Sequence, residues 1–324
     1  MKRIFIVFIF LILVTSGCRR GNTIVQSFPY PILDTVDTKI DLSDFEQLKP
    51  VSQDIFTVSS NFKNSVSINI NTTASLLIDS YEQNLLYANN IFEKIYPASI
   101  TKIMTALVLL DYGNLDEEVV ITHNFNDLVF NAKRSGISKG DILTLEQLLH
   151  SILIDSGNDS AIAIAKHIAG SVEDFAVLMN EKAKELGALD SNFVNPHGLY
   201  DENQYSTAYD LYLLFNEGLK NEKFKEIIGL PYYNATYHTI DGKEVKKTWM
   251  NTNMYLHSIH QVNNQTIIWG GKTGFITASG YNLVLLSYIN NTPYISLIIG
   301  SQTRELLYED MSKILNSIEL IKLR

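Results

Sequence analysis

An α+β fold is predicted for this 324-residue chain by three observations. A strand pair precedes a long helical stretch, that stretch gives way to short β-branched and aromatic segments, and one amphipathic helix closes the sequence. The pair is "ASLLIDS" (Ala74 to Ser80) and "LLYAN" (Leu85 to Asn89), with "YEQN" as the turn between them. After Pro97 the residues to Gly113 read as one helix, apolar around nearly its whole circumference and therefore buried. Further on, "TLEQLLHSILI" starts with Thr144 as N-cap and Gln147 three residues later, a capping box. "DSAIAIAKHIAG" and "VEDFAVLMNEKAKELG" each end at glycine, and "STAYDLYLLFNEGL" repeats the helical spacing. The period then changes. "TIIWGGKTGF", "YNLVLLSYIN" and "YISLIIG", separated by "ITASG" and "NTP", have the form of an antiparallel meander. The last helix runs from about Arg304 to Leu323, which makes the whole a sheet-bearing layer with a helical insert. No internal repeat or low-complexity tract is present.

At 46% hydrophobic and 19% charged residues the chain can bury one large core or two modest ones. The net charge is −9, and no Lys/Arg run longer than a pair follows the N-terminus, so nucleic acid is not an expected partner. The N-terminus reads "MKR", then eleven apolar residues from Ile4 to Val14, then "TSGC". A basic start and a short apolar run form an export signal. Ser16 and Gly17 before Cys18, the only cysteine, resemble a bacterial lipobox whose cysteine is acylated, although Thr15 stands where leucine is usual. A diacylglyceryl group supplies the two chains that stable anchoring needs. The expected organisation is a lipoprotein signal peptide over 1–18, a tether over 19–72 punctuated by Pro29, Pro31 and Pro50, and a folded domain over 73–324. The expected location is extracytoplasmic, lipid-anchored to the bacterial cell membrane, with no disulfide.

Three short strings fall in order: "SITK" at Ser99 to Lys102, "SGN" at Ser156 to Asn158, and "KTG" at Lys272 to Gly274. Each alone is weak. Ser-x-x-Lys recurs at Ser60 to Lys63, and Ser-x-Asn at Ser59 to Asn61 and Ser67 to Asn69, in a polar segment with no helix start. Taken singly, Lys102 can snorkel outward, Ser156 and Asn158 can cap a helix, and "GGKTGF" can be a turn. Their order and context favour one shared site. Ser99 and Lys102 are neighbours on a helix face, and burial together with a second cation, Lys272, favours a neutral lysine that takes the serine proton. The Ser99 amide at a helix start, with the backbone of Phe275, is placed to hold an oxyanion.

Such a set of motifs is that of penicillin-binding proteins and class A β-lactamases. From about Ala74 onward the chain resembles the serine-type D-alanyl-D-alanine carboxypeptidases, the low-molecular-weight penicillin-binding proteins, a peptidase S11-like family. The wording "YPASITKIMTAL", "LLHSILIDSGNDSAIAIAKHIAGS", "NFVNPHGL", "STAYDL", "GGKTGF" and "SGYNLV" carries the resemblance. It implies a penicillin-binding/β-lactamase-like fold, a mainly antiparallel sheet flanked by helices with a helical subdomain. Position by position it implies Ser99 as nucleophile, Lys102 as general base, and Ser156 and Asn158 as proton shuttle and amide holder. Lys272, Thr273, Gly274, Phe275 and Arg304 would form the substrate-binding side, with Thr273 and Arg304 toward the terminal carboxylate. The implied partners are a peptidoglycan stem peptide ending in D-Ala-D-Ala and β-lactam antibiotics, with no metal or organic cofactor.

Two departures stand out: Tyr205 precedes "STA" where many relatives carry histidine, and Ile276 replaces a polar residue. No membrane-binding extension follows the last helix, so the anchor is expected at Cys18. A class A-like β-lactamase would present a Glu-x-x-Leu-Asn string between Asn158 and Lys272, where none occurs. A D,D-endopeptidase would use the same residues, and a catalytically inactive cell-wall scaffold is the alternative of another class. His257 and His260 form an H-x-x-H without acidic companions, so they read as core or surface histidines. "PYYNATYH" (Pro231 to His238) either borders a groove or packs on the sheet.

Overall fold

The structure is a computed structural model and describes residues 62–126, 128–263 and 265–322. The signal peptide, Cys18 and most of the tether expected from the sequence lie outside the described residues. Strands β1 (Ala74–Asp79) and β2 (Asn84–Asn89) open the fold, followed by a 3₁₀ turn over Ala98–Thr101 and helix α1 (Lys102–Tyr112). The middle of the chain holds β3 (Glu118–Val120), β4 (Asp141–Thr144), α2 (Leu145–His150), α3 (Asn158–Ala169), α4 (Val172–Glu185), α5 (Ala208–Gly218) and α6 (Glu222–Ile228). Then come β5 (Tyr232–Thr239), β6 (Glu244–Met250), β7 (Thr266–Ile276), β8 (Gly280–Ile289), β9 (Thr292–Ser301), α7 (Arg304–Asn316) and α8 (Ile318–Lys322).

Two antiparallel sheets result. The larger has the order β2-β1-β9-β8-β7 and the smaller β3-β4-β5-β6. The large sheet is buried on both faces, because successive side chains of a strand point to opposite sides. Along β1, Leu76 and Ile78 face one core and Leu77 the other; along β9, Ile295 and Leu297 are split in the same way from Ile298. One core lies against α1 and the helical insert, and the second lies under α7, where Leu307, Met311 and Ile314 close it. Each fully buried side chain of this kind contributes roughly 1.5–3 kcal/mol. Within the stretch assigned to the tether, Phe62 packs on the first core and Ile68 and Ile70 on the second, while the Asn64 side chain pairs with both backbone groups of Ala88.

Helix starts are fixed by side-chain caps. The Thr144–Gln147 capping box is complete, and Ser171, Thr207 and Thr303 each accept a backbone N–H of the helix they precede. Two helices differ from expectation. The long helix from Thr144 gives way to a π turn over Ser151–Asp155, and the last helix breaks at Ser317, whose hydroxyl donates to the Ile314 carbonyl in competition with the helix ladder.

Candidate active site

Ser99 does not sit within the regular α-helix but on the 3₁₀ turn that leads into it. The turn is forced by its neighbours. Ala98 has φ +48°, a left-handed conformation that a residue with a Cβ adopts at a cost of about 1 kcal/mol. Two glycines hold it there. A Cβ on Gly198 would lie 1.8 Å from the Ala98 carbonyl oxygen, and one on Gly274 would lie 3.0 Å from the Ser99 nitrogen. The Ser99 amide is thus packed against β7 at the level of Gly274, one residue before Phe275.

Lys102, on the first turn of α1, has no solvent exposure. Its Nζ lies 3.0 Å from Ser99 Oγ, 2.7 Å from Asn158 Oδ1 and 2.7 Å from the His197 carbonyl oxygen. As an ammonium it donates to all three. As an amine it keeps the two carbonyl oxygens satisfied with two N–H groups and turns its lone pair to Ser99, whose O–H then donates to it. Burial, and after it the Lys272 ammonium, holds Lys102 well below the usual lysine range, with Asp159 pulling weakly the other way. Both atoms required for a base-assisted serine attack are therefore in hydrogen-bond contact.

The second string forms the facing wall. Ser156 has φ +64° and leads through Gly157 into α3. A Cβ on Gly157 would fall 2.0 Å from Ser135 Oγ, which explains the glycine. Asp159 fixes this wall: its carboxylate accepts the backbone N–H groups of Ser135, Gly136, Ile137 and Ser160. From β7, Lys272 Nζ donates to Ser156 Oγ at 3.0 Å and to the Thr273 carbonyl at 3.1 Å, and burial pushes it down to about 7. The Thr273 hydroxyl donates to Thr252 Oγ1 at 2.6 Å.

A cleft of about 1020 Å³ opens over these residues, and Ser99, Ser156, Asn158, Thr273, Phe275 and Arg304 all line it. The Arg304 guanidinium stands 5.8 Å from the Tyr281 ring, which in turn stacks on Phe275 at 4.3 Å. Ile276 also lines the cleft, whereas Tyr205 lies outside its lining, with the Lys94 ammonium 4.2 Å from its ring. His257 bonds the Asn251 carbonyl and His260 stacks on Tyr308, so both serve packing. "PYYNATYH" enters β5 of the small sheet, where Tyr233 stacks on His150.

Sequence reasoning missed three contributors. His197 offers its carbonyl to Lys102 while its neutral ring, pushed down to about 3 by burial and then by the Lys102 charge, accepts the Leu199 N–H on Nδ1. Thr252 supports Thr273, and Lys133 pairs with Asp155 at 2.7 Å on the cleft wall. Only "NPHGL" carried a signal, through its glycine; Thr252 and Lys133 lie in segments without pattern.

A buried lysine against a serine at a helix start, facing Ser-x-Asn and a Lys-Thr-Gly strand, defines the penicillin-binding type of serine peptidase site. The chain belongs to the peptidase S11 family, the D-alanyl-D-alanine carboxypeptidases, whose family model matches residues 60–303. It is 32% identical over 247 residues to D-alanyl-D-alanine carboxypeptidase DacF of Bacillus subtilis, covering 75% of this chain and 61% of the relative. With DacC of Escherichia coli it shares 30% over 262 residues, 76% of this chain and 60% of the other. The chain thus spans about three fifths of these relatives' length. Among solved structures, the Streptomyces K15 DD-transpeptidase superposes with a TM-score of 0.72 at 29% identity, covering 78% of this chain and 98% of that one.

Proposed function

We propose that the protein is a serine D-alanyl-D-alanine carboxypeptidase that removes the terminal D-alanine from peptidoglycan stem peptides. The observation that carries this reading is the contact of the buried Lys102 amine with Ser99 Oγ. Ser99 Oγ attacks the carbonyl carbon of the D-Ala-D-Ala bond and its proton passes to Lys102 Nζ. The oxyanion is held by the backbone N–H groups of Ser99 and Phe275. The C–N bond breaks, the departing D-alanine nitrogen takes a proton by way of the Ser156 hydroxyl, and water hydrolyses the acyl-enzyme. Asn158 holds the substrate amide and the Lys102 amine. The Lys272 ammonium, the Thr273 hydroxyl, the Gly274 backbone and Arg304 draw in the terminal carboxylate. A β-lactam acylates the same serine and leaves slowly. The enzyme works outside the cytoplasm, tethered through a lipid on Cys18.

Intact mass spectrometry with penicillin tests this. A persistent adduct on the wild type that is lost in Ser99→Ala is expected, together with D-alanine release from a stem pentapeptide. An unmodified protein with intact drug would move the reading to a binding scaffold, and rapid destruction of the drug to a β-lactamase. Acyl transfer to an amine is a second reading, supported by the similarity to the Streptomyces K15 DD-transpeptidase. A transfer product with added glycine, exceeding hydrolysis, would favour it.

A further inference from the structure

Lys272 is a fully buried cation whose bonded partners are a serine hydroxyl and a peptide carbonyl, both neutral. An ammonium buried without an anion nearby tends to give up its proton. Two carboxylates flank the motif that it touches. Asp159, at the start of α3, is committed to four backbone N–H groups of the cleft wall. Asp155 is the other. It directly precedes Ser156, the residue that Lys272 contacts, and it is 6% exposed.

Its pairing is asymmetric. Asp155 Oδ1 lies 2.7 Å from Lys133 Nζ, yet the Lys133 side chain is 53% exposed and the Asp155 side chain 9%. Solvent screens the cation at the rim more than the anion within, so the pair presents its negative end to the interior. The Lys133 carbonyl also accepts the Asn158 N–H at 3.0 Å, which fixes the turn from both sides.

We propose that Asp155 is a positioning residue for the reaction, its buried carboxylate serving as the interior counter-charge that keeps the Lys272 ammonium protonated. The inference rests on the reading of Lys272 as the cation that draws in the substrate carboxylate. The charges that act on Lys272 are Asp155, and Lys133 in the β3–β4 connection; Lys102 on α1, itself coupled to Asp159 on α3, feels the Lys272 ammonium in turn. Of these, Asp155 raises the Lys272 affinity for its proton against the larger effect of burial, whereas Lys133 lowers it in the same direction as burial. Burial also pushes the Asp155 carboxyl up, opposed chiefly by Lys133, so the negative charge is held there at a cost.

Asp155→Asn keeps the shape and an oxygen for Lys133 while removing the charge. The alkaline limb of the penicillin acylation rate is expected to move down by about one pH unit, the low end for a nearby opposite charge. At pH 8 that is about a tenfold loss, shrinking to about twofold at pH 6. Asp155→Glu retains the charge and keeps the wild-type limb. Lysine ¹³Cε NMR, with the Lys272 signal assigned by its loss in Lys272→Arg, reads the same midpoint without catalysis. Wild-type midpoints in Asp155→Asn by both methods would overturn the proposal. A wild type that never acylates on Ser99 would instead sink the functional reading, and the NMR midpoint would then judge Asp155 alone.

Discussion

Lys102 is the residue at which burial and chemistry oppose each other most sharply. Its amine is enclosed by Ser99, Asn158 and His197, and its proton affinity is lowered by burial and by Lys272. Between the lowered folded-state pKa and the ordinary lysine range near 10.5, the unfolded chain binds a proton that the folded chain does not. Stability therefore rises with pH through that window. Lys102→Met removes this dependence. Urea melts at pH 7 and pH 9.5 should show the wild type gaining about 1–3 kcal/mol relative to Lys102→Met at the higher pH, since each pH unit in the window is worth about 1.4 kcal/mol. The same variant should lose at least about 10²-fold in penicillin acylation, the lower end for removal of a general base. A constant stability difference would mean that Lys102 keeps its proton in the fold, and an unchanged acylation rate would remove it as the base.

At the scale of elements, the Ser99 turn is shaped from outside. A 3₁₀ turn with a left-handed alanine is not a local preference; it persists because β7 presses on one side with Gly274 and the 195–199 segment on the other with Gly198. That segment is itself braced, as Asn195 Oδ1 accepts the Gly198 N–H at 2.7 Å and Gln204 Oε1 accepts the Asn195 N–H at 2.9 Å. Gly198→Ala combines a backbone conformation with φ +83° that L side chains resist with a direct collision on Ala98. It should lower stability by about 2–4 kcal/mol, as overpacking and a left-handed alanine add. It should also slow acylation at temperatures where the variant is still folded. Thermal unfolding followed by circular dichroism, with stopped-flow acylation at 15 °C, checks both, and a wild-type rate would show that the turn does not depend on this contact. The sequence disclosed the strings and the strong elements around them, because long apolar helices and β-branched strands carry a clear period. It did not disclose the small sheet. β3 has three residues and β4 four, and although burial alternates along β5 and β6, Lys247 takes an inward position while Tyr232 and Met250 face outward, so the residue types do not spell out the period.

The whole molecule explains why the site was legible only in pieces. Ser99, Ser156, Lys272 and Arg304 come from four distant stretches, and what unites them is a sheet that separates two cores and ends at β7 beside the helical insert. Spacing along the chain says nothing of that meeting; only the order of known motifs does. All the residues of the proposed site lie within residues 62–322, and none of the described helices is long and apolar enough to cross a membrane. The proposed anchor and the proposed catalytic reading can therefore be tested apart. With Cys18 as the sole cysteine, lipidation has one possible thiol. Cys18→Ser expressed in a bacterial host should incorporate no radiolabelled palmitate and move from the membrane to the soluble fraction, while the purified protein acylates with penicillin at the wild-type rate. Wild-type protein that carries no label and is found free in the medium would refute the anchor and leave the catalytic reading untouched.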